Sequence, residues 1–61
     1  MNFKEKRMSL SLTQNEIAKR LGVTRSAIAM WESGESLPRA DKLPELAKIL
    51  NCTVDDLLKA N

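Results

Sequence analysis

Histidine and tyrosine are absent from this chain of 61 residues, cysteine occurs once, and the aromatics are one Phe and one Trp. Without His, no side chain titrates near neutral pH unless it is strongly perturbed. A base-assisted nucleophile would have to be built from Lys or a carboxylate, so a catalytic role is not expected. One Cys closes no intrachain disulfide, and without His it forms no structural zinc site, so neither a metal nor a cofactor is expected. No apolar run approaches the roughly 18 residues of a membrane span, and the opening MNFKEKRMSL lacks a signal-peptide core. No membrane association is expected, and the location expected is cytoplasmic. Alternation with a period of two is also missing, which argues against strands.

What remains is a small single domain over 1–61, with 43% apolar residues and 30% charged. So short a chain buries only about 60% of its unfolded surface, and with no staple available it must rely on helix packing or self-association. The formal net charge of +2 is unevenly placed. Lys4, Lys6, Arg7, Lys19, Arg20 and Arg25 face only Glu5 and Glu16 in residues 1–25, a balance of +4, whereas residues 26–61 carry −2. A basic half suits a polyanion, although on its own it is a weak signal.

Apolar positions recur at helical spacing between cap residues, and the chain reads as five short helices. The first covers about 2–9, with Phe3 and Met8 as its apolar residues. Thr13-Gln14-Asn15-Glu16 is a capping box opening the second, whose apolar face is Ile17, Ala18 and Leu21. Gly22 follows as a left-handed C-cap. Thr24 caps a third helix running to about Ser33, with Ala27, Ile28 and Trp31 inward and Gly34 at its end. Asp41 is expected to cap the fourth, with Pro44 in its first turn and Leu43, Leu46, Ala47 and Leu50 as its core stripe. Thr53 caps the fifth, which carries Val54, Leu57 and Leu58; Asp55 and Asp56 suit the positive end of its dipole.

The informative stretch is QNEIAKRLGVTRSAIAMWES, residues 14–33. Two helices of about eight residues joined by a tight turn containing Gly cross steeply, which is helix-turn-helix geometry. Ala18 is small where the second helix crosses, Gly22 makes the turn, and Val23 plugs it into the core. Ile17, Leu21, Ile28 and Trp31 fill the angle between the helices. Trp31 at this register is a core residue rather than a stacking platform, and Cys52 is a small hydrophobe at the last turn.

On these residues, together with Leu12-Thr13-Gln14, Glu32, Gly34, Pro38, Leu46-Ala47, Leu50 and Leu57-Leu58, the chain resembles the Cro/C1-type (XRE) helix-turn-helix family, the small DNA-binding domains of phage repressors and Cro-type proteins. The resemblance runs from Arg7 to about Leu58 and implies an all-α bundle of five short helices of the lambda-repressor-like kind. The chain departs from the family at Asn51, where Gly is usual, and in having few polar residues in the middle of the third helix.

The resemblance also implies roles. Arg7 in the first helix is expected to pair with Glu32 at the end of the third, locking the two helices together. The third helix is expected to lie in the DNA major groove. With Ile28 and Trp31 turned inward, base edges would meet Arg25, Ser26, Ala29 and Met30. Arg25 can donate a bidentate pair to guanine, Ser26 can bond either kind of base, and Ala29 and Met30 can offer only apolar contact, chiefly to thymine methyls. Backbone contacts are expected from Gln14, which in the family also braces the recognition helix, and from Asn15, Thr24, Ser33, Ser36, Arg39 and Lys42. Val54, Leu57 and Leu58 on the C-terminal helix are the dimer-interface candidates. The expected function is sequence-specific binding of double-stranded DNA as a transcriptional regulator, a repressor acting as a homodimer on a palindromic operator. The alternative is an antitoxin or restriction-modification-type controller that also binds a protein partner.

Overall fold

In the computed structural model, which describes residues 2–59, the chain forms α1 (Phe3–Ser9), α2 (Gln14–Leu21), α3 (Arg25–Ser33), α4 (Leu43–Ile49) and α5 (Val54–Leu58). A 3-10 turn at Ala40–Lys42 leads into α4, and no strand occurs among the described residues. Three threonines start helices in the same way. The Thr13, Thr24 and Thr53 side chains accept from the backbone N–H of Glu16, Ala27 and Asp56 at 3.1, 3.2 and 3.0 Å. At Thr13 the box is reciprocal, because its own N–H donates to Glu16 Oε1 at 3.0 Å. Each bond satisfies a donor that the first turn of a helix leaves without an intrahelical partner.

The start of α4 differs from expectation. Asp41 lies inside the 3-10 turn, and α4 begins without a side-chain cap, although Pro44 does sit in its first turn. The reason lies in the backbone. Helical backbone already begins at Ala40 after the extended Arg39, so Asp41 stands inside a turn rather than at the non-helical position a capping residue needs.

Helix ends are made by four residues in the left-handed region: Gly22 (φ 71°), Gly34 (φ 86°), Asn51 (φ 56°) and Ser11 (φ 57°). Gly22 is where the turn needs this most, since from there the Val23 N–H reaches back to Ala18 O at 3.0 Å. Asn51 fills the place of the usual Gly, as a short amide side chain tolerates this region. Ser11 carries no comparable sequence signal.

The core unites all five helices through Phe3, Ile17, Ala18, Leu21, Ile28, Trp31, Leu46, Ala47, Leu50 and Leu57. The Trp31 and Phe3 rings meet at 6.3 Å between centroids, tilted by 59°. An aromatic residue buries about 150–250 Å², so this pair ties α3 to α1 with much of the available apolar surface. Met8 and Leu58 are not core residues, being 60% and 50% exposed. Leu57, counted in the sequence among the dimer-interface candidates, is fully buried within the protomer, so Leu58 and half-buried Val54 are left for that role.

Candidate nucleic-acid interface

The outer face of α3 follows from what its inner face must bury. Ile28 and Trp31 turn inward, and at 3.6 residues per turn this leaves Arg25, Ser26 and Met30 exposed and Ala29 half-buried. Arg25 and Ser26 stand in the first turn of the helix, beside the Thr24 cap. The middle of the face, Ala29 and Met30, offers only methyl and thioether surface.

Beneath this face lies a chain of hydrogen bonds. Arg7 Nε donates to Glu32 Oε2 at 2.6 Å and Arg7 Nη2 to Glu32 Oε1 at 3.2 Å, a two-pronged ion pair with 13% and 6% of the two side chains exposed. The remaining prong, Nη1, donates to Leu12 O at 2.8 Å. Gln14 Nε2 donates to Glu32 Oε1 at 3.1 Å, and Gln14 Oε1 accepts from Arg25 Nη1 at 3.3 Å. The expected Arg7–Glu32 pair is therefore present. Gln14 was expected to brace the recognition helix, and it touches that helix at both ends; the sequence did not name Glu32 and Arg25 as the partners.

The residues expected to meet the DNA backbone flank α3 with their donors in different states. Asn15, Thr24 and Arg39 are exposed, whereas Ser36 is half-buried. The Thr24 oxygen is engaged as a cap, but its hydroxyl hydrogen is left to donate outward. Ser33 instead turns its hydroxyl onto its own helix, donating to Met30 O at 3.1 Å. Lys42 reaches across to α2, where Nζ donates to Leu21 O at 3.2 Å. That bond satisfies a carbonyl orphaned at the end of α2, and two of the three ammonium donors remain. An open groove beside the turn is lined by Asn15, Glu16, Ala18, Lys19, Val23 and Arg25.

Two carboxyls are held below their ordinary values. Glu16 is lowered by the Thr13 backbone N–H and then the Thr13 hydroxyl, and Asp56 by the Thr53 hydroxyl and then its backbone N–H. Both belong to helix caps. Among the described residues no group of three or more His, Cys, Asp or Glu side chains is placed to hold a metal, and no helix is long and apolar enough to cross a membrane.

Comparison with known proteins adds a second line of evidence. The helix-turn-helix family model matches residues 3–57. The chain is 40% identical over 62 residues to the HTH-type transcriptional activator BcrR of Enterococcus faecalis, a match covering 95% of this chain and 30% of that protein. It is 36% identical over 59 residues to Repressor protein C2 of Salmonella phage P22, covering 97% of this chain and 27% of that protein. An uncharacterized HTH-type transcriptional regulator of Archaeoglobus fulgidus is 35% identical over 55 residues, covering 90% of this chain and 78% of its own length. The chain thus spans under a third of the first two relatives and most of the third. No solved structure gives a significant match.

Proposed function

The chain belongs to the Cro/C1-type helix-turn-helix family, and on that premise we propose that it binds double-stranded DNA sequence-specifically, as a dimeric transcriptional repressor on a palindromic operator. The observation that carries this reading is the exposed Arg25-Ser26-Ala29-Met30 face of α3, set on a helix whose inner side is locked by Trp31 and by the Arg7–Glu32 pair. A helix held this rigidly presents its first turn to base edges in a fixed register, while Gln14, Asn15, Thr24, Arg39 and the free donors of Lys42 meet phosphates. Ser33 and Ser36 stand at the edge of that footprint, as backbone contacts the duplex itself would draw in.

Two physical arguments supply the rest. The Cα extents are 23 × 23 × 20 Å. Successive major grooves on one face of a duplex lie about 34 Å apart, so reading both half-sites takes two copies. Repression needs only occupancy of the DNA, whereas activation needs a further surface for the transcription machinery.

Gel shift against the DNA upstream of the chain's own gene, repeated at several salt concentrations, tests this. The expected result is retention of one duplex over a scrambled one, with log affinity falling linearly with log salt as counterions are released. Binding that ignores sequence, or no binding, would reject the reading.

A further inference from the structure

Lys19 and Arg20 are neighbours in the last turn of α2, yet the fold gives them different surroundings. With Ile17, Ala18 and Leu21 turned inward, successive residues point about 100° apart around the helix. Arg20 follows Glu16 by one turn. The Thr13 N–H and hydroxyl already hold the Glu16 carboxyl below its ordinary value, and the Arg20 charge lowers it further, so this cation has an anion beside it. Lys19 follows Asn15 by one turn, and both line the open groove beside the turn together with Arg25. Arg20 stands outside that groove, which holds two cations, Lys19 and Arg25, against the single carboxylate of Glu16. Lys19 is exposed and enters none of the ion pairs among the described residues. Cations in the last turn suit the helix dipole, but that applies to Lys19 and Arg20 alike.

Position along the helix gives a second argument. In a helix-turn-helix the helix before the reading helix crosses the DNA backbone. Lys19 stands about 6 Å farther along α2 than Asn15 at 1.5 Å per residue, and its four-carbon stem extends its reach. We propose that Lys19 clamps a DNA phosphate bordering the base pair met by Arg25, and that Arg20 does not touch the duplex. The inference rests on the DNA-binding function above and deepens it, because it carries the footprint from the start of α2 to its last turn. An ammonium is a compact point charge, so this contact adds affinity and salt dependence without choosing between sequences.

The test takes the preferred duplex selected from a randomised library and measures dissociation constants at several salt concentrations. The proteins compared are the wild type, Lys19→Gln, Lys19→Arg and Arg20→Gln, each checked for folding by thermal unfolding. Lys19→Gln is expected to flatten the slope of log affinity against log salt by about 0.9 for each copy bound. Its deficit against the wild type should therefore narrow about threefold per copy between about 50 and 200 mM salt, with discrimination between bases kept within about twofold. Lys19→Arg should restore the slope, and Arg20→Gln should keep that of the wild type. Duplexes in which one phosphate at a time is replaced by a neutral methylphosphonate then locate the contact. One such replacement per half-site is expected to weaken the wild type and leave Lys19→Gln unaffected. A Lys19→Gln with the wild-type slope would overturn the clamp while leaving DNA recognition standing. Equal changes in Lys19→Gln and Arg20→Gln, with no phosphate singled out, would also overturn it, as the mark of a diffuse positive field. A wild type that binds no duplex, or binds all alike, would instead reject the function on which the inference depends.

Discussion

Arg25 is the only reading-face residue with several hydrogen-bond donors to offer, and its neighbours set how much that matters. Ser26 adds one hydroxyl, while Ala29 and Met30 contribute apolar contact alone. Direct readout should therefore concentrate at one base pair per half-site, with a larger share carried by the shape and stiffness of the DNA. Arg25→Ala is expected to cost about 1–3 kcal/mol on the preferred duplex and to relax preference at that pair alone. Competition binding against the four bases at each position measures this, and an equal loss on all sequences would make Arg25 a phosphate contact. The exposed position of Arg25 was legible in sequence, because Ile28 and Trp31 fix which way the helix faces. That Gln14 braces the helix was expected, but that Arg25 is a partner was not legible, since it depends on where two helix starts meet in space.

Helix caps are where the sequence was most readable, because a cap is a local event of three or four residues. Thr13, Thr24 and Thr53 all act as their spacing predicts. Asp41 does not cap because a 3-10 turn already starts at Ala40 and carries Asp41 inside helical backbone. These caps also carry an acid sensitivity. Glu16 and Asp56 are held below ordinary values of 4.5 and 3.8 by the threonines that begin their helices. A carboxyl depressed in the folded state contributes stability that is present above its ordinary value and is lost as pH falls through the depressed one. Thermal unfolding from pH 7 down to about 2.5 should therefore show the wild type exceeding a Glu16→Gln/Asp56→Asn variant near neutrality. The advantage should shrink below about pH 4. A difference that stays constant across the range would remove the two carboxylates as its cause.

At the scale of the molecule, ten buried apolar residues among those described draw five helices around one core, and α3 is held in that core by Trp31 tilted against Phe3. With extents of 23 × 23 × 20 Å, one copy would reach only one half-site of the proposed operator. Leu58, 50% exposed beside half-buried Val54, is the apolar surface that α5 would offer to a second copy in the proposed dimer. Leu58→Glu is expected to leave the protomer folded, to give a monomer by sedimentation equilibrium, and to weaken binding to a full palindrome by tenfold or more, while half-site binding is kept. Tenfold corresponds to about 1.4 kcal/mol, within reach of losing one buried leucine from an interface. A variant that still dimerises would place the interface elsewhere.

Sequence by itself determined the helices, their caps and the inward faces, because periodicity and capping act over a few neighbouring residues. The uneven charge was readable as well, with the basic excess lying in the segment that holds α1, α2 and the first residue of α3. Tertiary structure decided the matters that depend on contact between distant segments. Leu57 went wholly into the core, Lys42 bent back to the Leu21 carbonyl, and Asn2 became a tether to the Asp56 carbonyl of α5 at 3.0 Å. Arg7, Glu32, Gln14 and Arg25 became one directed chain only once the core had fixed the angles at which α1, α2 and α3 meet. Hydrogen bonds are short and directional, so a crossing angle set by packed apolar side chains, rather than residue identity, selects which of these polar groups come within reach.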